Sequence, residues 1–384
     1  MLLPLFLIVL GTAAAGALAY GTHPGLAEHA HGLETIMMAR RLMWPMIMLS
    51  LVSCIALLGL VIANKRRAWW LIGLAPVLAL FYHRFGPPGA ARMWILDSPT
   101  FAAANDEPIP QDDWWVVGLV FQDNAYALPY WALYATPVVF ITDYDKRMVV
   151  MWSPHADRAT AYSIAREFRA RDLEIVTAPA DSVLLYDTRL GQFIVTLTSL
   201  TTDGDRPVGL QQPIPTYKMS WAAWKKLHPD TRILRGSYVA DAPMGPVLPR
   251  SSGKVVDGLP AETRVAMLGT TPLSAIPQEL ISKRFNNIVA GNQRLLVIRN
   301  IHTGMARAFD RNVKEDLFPT FTAASDAKLA EVVMRDSDSD SLWTADGKAV
   351  SGPLTGVQMK ELPIEEGLYW GPMRFWIKGL QVAK

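Results

Sequence analysis

The chain has 384 residues, of which 51% are hydrophobic and 19% are charged, and its formal net charge is +2 at pH 7. So small a charge argues against a nucleic-acid partner, whereas the length allows two or three domains and the apolar content predicts that one lies in a membrane. The one cysteine, Cys54, excludes an internal disulfide and a multi-cysteine metal site, and its apolar surroundings favour a buried, inert thiol.

Three apolar segments predict transmembrane helices within residues 1–84. Residues 2–20 and 42–64 carry no charge, and at roughly 1.5 Å per residue each can cross a hydrocarbon core of about 30 Å. Residues 68–84 are a shorter third span, with a re-entrant or buried helix as the alternative. A signal peptide is the alternative for the first segment, but the basic residues that usually precede the apolar run are missing, so we favour an uncleaved helix.

Basic residues beside these segments predict on which side of the membrane the rest of the chain lies. Lys65, Arg66 and Arg67 occupy the short turn between the second and third segments, and positive charge in a short loop marks the cytoplasmic side. Arg40 and Arg41 argue for the opposite orientation. We expect the soluble region to face the periplasm of a bacterial inner membrane.

The loop between the first two segments contains a group of potential metal ligands. His23, His29 and His31 lie within a dozen residues of each other, together with Glu28 and Glu34. Imidazole and carboxylate ligands suit copper or zinc. The alternative is an amphipathic helix lying at the membrane surface, because His29 and His31 are two positions apart and point to different sides of a helix.

The soluble region reads as short strands broken by turns, which predicts a mainly β or α+β fold. Residues 85–113 and 236–262 are rich in proline and small residues and are predicted linkers. They separate residues 114–235 from residues 263–384. Residues 159–171 are ambiguous, because their composition favours a helix and their surroundings favour a hairpin.

Several residues recur at a nearly constant spacing, which indicates two tandem repeats. The segment 152–162 has an echo at 299–309, with His155 and His302 at equivalent positions 147 residues apart. Pro129 and Pro277 are 148 apart, and the pair Asp187 and Asp336 is separated by 149 residues. A constant offset over so long a span predicts a duplicated unit.

These segments resemble an extracytoplasmic bacterial family of unknown function with a Tyr-Cys-Pro-Leu-Cys-Gly core. The other motifs of the family are Ala-Tyr-Pro, Tyr-Asp…Ser-Leu-Trp, Gly-Pro-Leu…Gly and Trp…Trp…His-Pro-x-Thr. The matching positions in this chain are Ala125 to Pro129, Trp152 to Tyr162, Tyr186-Asp187, Trp221 to Thr231, Ala308 to Arg311, Ser341 to Trp343, and Gly352 to Gly356.

The chain departs from this family at the core cysteines. Their positions hold Ser153 and Ala156 in the first copy, and Asn300 and Thr303 in the second. Redox or metal chemistry of a Cys-Pro-x-Cys pair needs thiolates, so no such activity of the family carries over to this chain.

Four further groups are candidate sites, each with a structural alternative. His155 and His302 form a metal or cofactor pair if a pseudo-twofold brings them together; otherwise each fills a turn. Trp221, Trp224 and His228 line an aromatic ligand groove or pack in the core.

The other two groups fit a chemical role poorly. Residues 336–341 resemble the opening of a calcium loop, but the sixth and twelfth positions lack its glycine and carboxylate, so a solvated strand entry is favoured. Ser153, His155 and Asp157 are a nucleophile, a base and an acid, yet alternation along a strand does not ensure their hydrogen-bond contact.

The favoured function is that of a non-catalytic, membrane-anchored accessory subunit of a larger inner-membrane complex, for example an electron-transfer or photosynthetic complex. Its expected partners are membrane lipids and other membrane-protein subunits. The first alternative is a periplasmic metal- or ligand-binding module that uses copper or zinc. The weakest alternative is an enzyme of unknown reaction that acts in the groove at residues 221–230.

Overall fold

The computed structural model of the chain describes residues 2–63, 65–85, 93–106, 110–235, 242–269, 273–300, 305–314, 317–324 and 332–383. The chain forms two compact units. Unit 1 comprises Met1–Pro154 and Arg158–Val247, and unit 2 comprises His155–Asp157 and Leu248–Lys384. The main boundary therefore falls inside the second predicted linker, and the three-residue turn His155–Asp157 is counted with unit 2.

Unit 1 begins with helices, of which the second is amphipathic and the others are mainly apolar. They are α1 (Leu2–Tyr20), α2 (Gly32–Arg41), α3 (Met43–Ala63) and α4 (Leu74–Phe85), with a 3-10 segment at Lys65–Gly73 before α4. By length and composition, α1 and α3 are long and apolar enough to cross a membrane, and they are compatible with a membrane anchor or a signal peptide. The predicted third span is divided, because Pro76 lacks an amide hydrogen and is accepted only in the first turn of α4.

The remaining helices and strands of unit 1 form three sheets. The short helices are α5 (Tyr130–Ala135) and α6 (Trp221–Leu227). The strands are β1 (Ile95–Asp97), β2 (Thr100–Ala103), β3 (Trp115–Phe121), β4 (Asn124–Pro129), β5 (Val138–Asp143), β6 (Lys146–Ser153), β7 (Arg158–Ile164), β8 (Leu173–Thr177), β9 (Leu184–Asp187), β10 (Gln192–Val195), β11 (Leu200–Thr201), β12 (Leu210–Ile214), β13 (Thr216–Ser220) and β14 (Arg232–Arg235). Their orders are β1-β5-β6-β7-β12, β11-β10-β9-β8 and β13-β3-β4-β14-β2.

The sheet that contains β5 and β6 is covered on both faces. Along β6, Val150 and Trp152 pack with residues of β3 and β4, whereas Val149 and Met151 pack with residues of β8 to β10. Successive side chains of a strand point to opposite faces, so a strand that is covered twice must be apolar at every position. This is why the central strands read as unbroken hydrophobic runs.

Unit 2 contains the last helix and the remaining fourteen strands of the described chain. The helix is α7 (Trp370–Trp376). The strands are β15 (Val255–Val256), β16 (Leu259–Pro260), β17 (Arg264–Leu268), β18 (Ser274–Pro277), β19 (Phe285–Ala290), β20 (Gln293–Arg299), β21 (Ala306–Asp310), β22 (Phe321–Ala323), β23 (Val332–Asp336), β24 (Leu342–Thr344), β25 (Ala349–Ser351), β26 (Glu361–Leu362), β27 (Ile364–Tyr369) and β28 (Gln381–Val382). The sheets have the orders β27-β17-β18-β28, β19-β20-β21-β26 and β22-β23-β24-β25, beside the hairpin β15-β16.

The central sheet of unit 2 is also covered on both faces. Leu295 and Val297 of β20 belong to one buried cluster, and Leu296 and Ile298 belong to another. The prediction of a mainly β soluble region is confirmed.

The predicted linkers contain more structure than their composition indicated. Within residues 85–113, β1 pairs in parallel with β5, and β2 pairs antiparallel with β14. Residues 236–262 contain the hairpin β15-β16. These strands are only two to four residues long, so they are too short to show a sustained alternation.

The ambiguous segment 159–171 is resolved in favour of the hairpin. Its first residues belong to β7, which pairs antiparallel with β6. Ala159 and Ala161 are buried in the same cluster as Val150 and Trp152. Cross-strand packing therefore outweighs the helix propensity of alanine here.

Candidate functional site

The turn after β6 follows Ser153, one of the residues that the sequence singled out. Ser153 ends β6 and is fully buried, with its Oγ 2.8 Å from Thr196 Oγ1 and 3.4 Å from Ser182 Oγ. Thr196 donates onward to the carbonyl of Val183, and Ser182 Oγ accepts the amide of Leu197. The serine is thus one member of a closed chain of buried hydroxyl groups, which favours a structural role over a nucleophilic one.

Asp157, in the same turn, belongs to a buried charged cluster of unit 2. Its carboxylate accepts a hydrogen bond of 2.7 Å from Arg264 Nη1, and its backbone lies in the left-handed region with φ of 51°. Arg264 also donates to the carbonyl of Gly367 and, over 2.7 Å, to the Tyr369 hydroxyl. Burial raises the pKa of Tyr369, so this hydroxyl stays protonated at neutral pH.

Asp157 and His155 both have partners within unit 2. His155 Nδ1 is 3.2 Å from the carbonyl oxygen of Leu248. In a catalytic triad the carboxylate orients the histidine, whereas Asp157 forms an ion pair with the guanidinium of Arg264. His302, the other member of the predicted histidine pair, lies outside the described residues, so the pair stays a prediction.

A second polar cluster lies in unit 1 beside a small cleft of about 180 Å³. The Asp143 carboxylate at the end of β5 accepts hydrogen bonds from Asn124 Nδ2 at 2.7 Å and from the Tyr126 hydroxyl at 2.9 Å. Arg232 Nη1 is 3.6 Å from the other carboxylate oxygen. Burial, followed by the hydrogen bond to Asp143, raises the pKa of Tyr126 to about 12. Tyr126 is therefore a stable donor at neutral pH and not a general base.

The loop between α1 and α3 contains the predicted metal ligands. His23 accepts the amide of Gly25 at 3.2 Å and so caps the 3-10 turn Pro24–Glu28. His31 Nδ1 is 2.7 Å from Glu34 Oε2, and both side chains are exposed. Among the described residues there is no group of three or more His, Cys, Asp or Glu that could hold a metal ion. The binding of copper or zinc by His23, His29 and His31 stays a prediction.

Arg40 and Arg41 have a structural role that the sequence did not indicate. Arg40, whose side chain is 7% exposed, forms an ion pair with Glu174 of β8, and its guanidinium lies 4.5 Å from the ring centroid of Tyr186. Arg41 lies 5.4 Å from the ring centroid of Phe193. These contacts fix α2 on the β8 to β10 sheet within unit 1, which accounts for two basic residues without reference to membrane orientation.

Trp221 and Trp224, the predicted aromatic groove, lie in the core of unit 1. Both are buried at the start of α6, where Trp224 Nε1 donates to Thr231 Oγ1 over 2.9 Å. A Cβ added at Gly118 of β3 would lie 2.3 Å from the Trp224 ring, so the strand approaches the indole closely. His228 is half-buried and contacts Trp224, with 4.2 Å between ring centroids. Ligand binding at this position stays a prediction.

The aspartates at 336–340 have protein partners instead of an open ligand ring. Asp336 accepts from Ser339 and, over 2.8 Å, from Trp343 Nε1. Asp338 accepts the amide of Thr320 at 2.7 Å, and Asp340 pairs with Arg335. Asp338 and Asp340 are exposed, but Asp336 is fully buried, so this carboxylate is not part of a solvated surface.

Comparison with known proteins identifies a family but no better characterised relative. A family model described as "Protein of unknown function (DUF3179)" matches residues 94–370. No curated protein and no solved structure matches the chain. The matched region begins just before β1 and ends at the first residue of α7, so it includes strands of both units.

The Tyr126 hydroxyl predicts a specific dependence of stability on alkaline pH. Its pKa is raised to about 12 in the folded protein, above the value of about 10 of a free tyrosine. The stability it contributes is therefore complete below about pH 10 and is lost as the pH rises towards 12. Absorbance titration at 295 nm should show that Tyr126→Phe removes one tyrosine with a pKa near 12. Removal of a tyrosine that titrates near 10 would contradict the assignment.

The Arg40–Glu174 pair predicts that the anchor-proximal helix contributes to the stability of unit 1. Glu174→Gln leaves a buried guanidinium without its counter-charge, so we expect a loss of about 1 kcal/mol, reduced from the cost for a fully buried pair because Glu174 is half exposed. Urea unfolding of the full-length protein in detergent, followed by tryptophan fluorescence, measures the change. Asp340→Asn breaks an exposed pair with Arg335 and should change stability by less than about 0.5 kcal/mol. Equal effects would show that the buried contact adds nothing.

Proposed function

We propose that this chain, which belongs to the DUF3179 family of proteins of unknown function, is a non-catalytic accessory subunit that is anchored in the bacterial inner membrane and presents two β repeats to the periplasm. The observation that carries the proposal is the exposure of α1 and α3. In the apolar windows of these helices, only 33% and 22% of the residues are buried. Such helices need lipid or other apolar helices around them, whereas a core helix of a soluble protein is mostly buried.

The position of Arg40 supports three membrane crossings. Arg40 lies between α1 and α3, and its ion pair with Glu174 supports a position of this loop on the same side of the membrane as the soluble strands. An even number of crossings must then separate α2 from β1. The helix α3 supplies one crossing. The 3-10 segment and α4 supply the second, since nine residues at about 2.0 Å and twelve at about 1.5 Å rise roughly 36 Å.

The basic turn then supports a periplasmic soluble region. Lys65, Arg66 and Arg67 lie at the end of α3 that is opposite to α2, where positive charge marks the cytoplasm. Arg40 and Arg41 do not oppose this orientation, because they have ionic and aromatic partners in unit 1.

The strand orders of the two units support a duplication. In each unit a hairpin is flanked by an antiparallel strand on one side and a parallel strand on the other, and a short helix joins these two strands. Each unit also contains a four-strand meander. Tyr186 pairs with Phe193 in the first meander, and Arg335 pairs with Leu342 in the second. Each residue of the second pair therefore lies 149 positions after its counterpart in the first.

The polar clusters support a non-catalytic role. Ser153 and Asp157 are buried with protein partners, and Tyr126 is a donor to a carboxylate. An active site needs a reactive group that can reach substrate, with a pKa suited to proton transfer or attack. Buried polar groups whose hydrogen bonds are all made by neighbouring residues stabilise one particular fold instead.

Cysteine labelling tests the membrane topology. In a Cys54→Ser background, Ala30→Cys reports on the loop before α3, Tyr144→Cys on the soluble region and Ala68→Cys on the basic turn, each at an exposed position. A membrane-impermeant maleimide added to intact spheroplasts should label the first two, and the third only after permeabilisation. Labelling of Ala30→Cys and Tyr144→Cys from opposite sides would exclude an even number of crossings between them.

Native extraction tests the accessory role. Protein purified in mild detergent from its own membranes should carry membrane-protein subunits in fixed ratio, identified by mass spectrometry, since α1 and α3 expose apolar faces that fit other helices. Elemental analysis of the same eluate tests the metal-binding alternative, which requires stoichiometric copper or zinc. A monomer without partners would refute the accessory role.

A further inference from the structure

A groove of about 660 Å³ opens on unit 1. It shares no lining residue with the small cleft beside Tyr126. It lies where the β3-β4 turn, the β5-β6 turn, the end of β7 and the edge strand β12 come together. The lining residues are Phe121, Gln122, Asp145, Lys146, Arg147, Ser163, Ile164, Ala165, Arg166, Gln211, Gln212 and Ile214. The volume is in the range of sites for small organic molecules.

The charges in the groove are predominantly positive. Lys146, Arg147 and Arg166 contribute three cations, against the single carboxylate of Asp145. Arg147 Nη1 is 3.5 Å from the carbonyl oxygen of Arg166, which brings the two arginine residues together. In the described part of the chain, none of these three cations forms an ion pair. The groove therefore retains an attraction for anions that neighbouring side chains do not neutralise.

The frame of the groove is fixed by turns and by a bulge. Gln122 and Asp123 both have positive φ, as a tight two-residue hairpin loop requires. Ser163 Oγ accepts the amide of Gln212 at 3.1 Å, beside a register shift that projects exposed amide side chains from β12. The bulge and Pro213 also make β12 a poor template for an added strand, so recognition falls to side chains.

We propose that this groove binds a phosphate-bearing organic ligand. The guanidinium groups of Arg147 and Arg166 suit phosphate oxygens, because each offers paired donors in a plane and keeps its charge. Partly exposed Ile214, with the small exposed parts of Phe121 and Ile164, provides apolar surface for a neutral body next to the phosphate, and the groove is much larger than an inorganic ion. The phosphate belongs either to a soluble ester or to a phospholipid headgroup. This site is independent of the proposed accessory role.

Titration of the full-length protein tests the site and separates the two sources. Glycerol 3-phosphate is titrated into the detergent-solubilised protein by calorimetry at constant ionic strength, and short-chain phosphatidylglycerol is compared with short-chain phosphatidylcholine in the same way. We expect saturable binding that Arg147→Gln with Arg166→Gln weakens about tenfold or more. Binding of the soluble ester identifies a free metabolite as the source, and binding of the anionic lipid alone identifies a headgroup.

Two single substitutions control for a general charge effect. Asp145→Asn removes the one negative charge from the groove and should tighten binding about threefold. Arg189→Gln removes an exposed positive charge of unit 1 that does not line the groove and should change affinity less than about twofold. The thermal unfolding of all variants is compared with that of the parent, because every substituted side chain is at least partly exposed. Equal weakening by Arg189→Gln and the double variant, or no saturable binding to either probe, would overturn the proposal.

Discussion

Water must be excluded from both faces of the central sheets, and much of the remaining structure follows from this requirement. In β6, alternate residues serve two different buried clusters, and β20 does the same in unit 2. A strand of this kind contributes to folding only if further sheets cover it on each side. The short outer meanders and the hairpins with their flanking strands supply that cover. These outer sheets can be small because they are stabilised by the apolar surface that they bury against the central sheet, not by a core of their own.

The same exclusion of water requires a partner for each polar group that enters the interior. Ser153 is accommodated by hydroxyl groups from two other segments. The carboxylate of Asp157 accepts a hydrogen bond from a guanidinium, and that of Asp143 accepts hydrogen bonds from a phenol and a side-chain amide. A thiol is a weak donor and is readily buried, but a hydroxyl or a carboxylate is costly without hydrogen bonds. Each of these buried polar groups is thus joined to its surroundings by hydrogen bonds or an ion pair.

Sequence patterns predicted the central strands and the two long helices, because burial on two faces leaves an unbroken apolar run of characteristic length. They did not reveal β1, β2, β15 or β16, whose few residues carry no period. The role of Arg40 was also missed, since its partner Glu174 is 134 residues away and neither residue has a distinctive neighbour pattern. The cationic groove takes Arg147 from the start of β6 and Arg166 from the residues just after β7, and the antiparallel register of these strands brings the two together. Conversely, Trp221 and Trp224 stood out by composition, yet Trp224 fits against a glycine in the core.

The pairing of Asp157 with Arg264 bears on how the protein folds as it is synthesised. The two residues are 107 positions apart, so at 5–20 residues per second the arginine appears about 5–20 s after the aspartate. During that interval the turn at the end of β6 carries a carboxylate that lacks its counter-charge, and it can be completed only after the second half of the chain has begun to emerge. A fragment that ends at Val247 would remain permanently in this unfinished state. The nascent first half should therefore be a substrate for chaperones for longer than its own size would require.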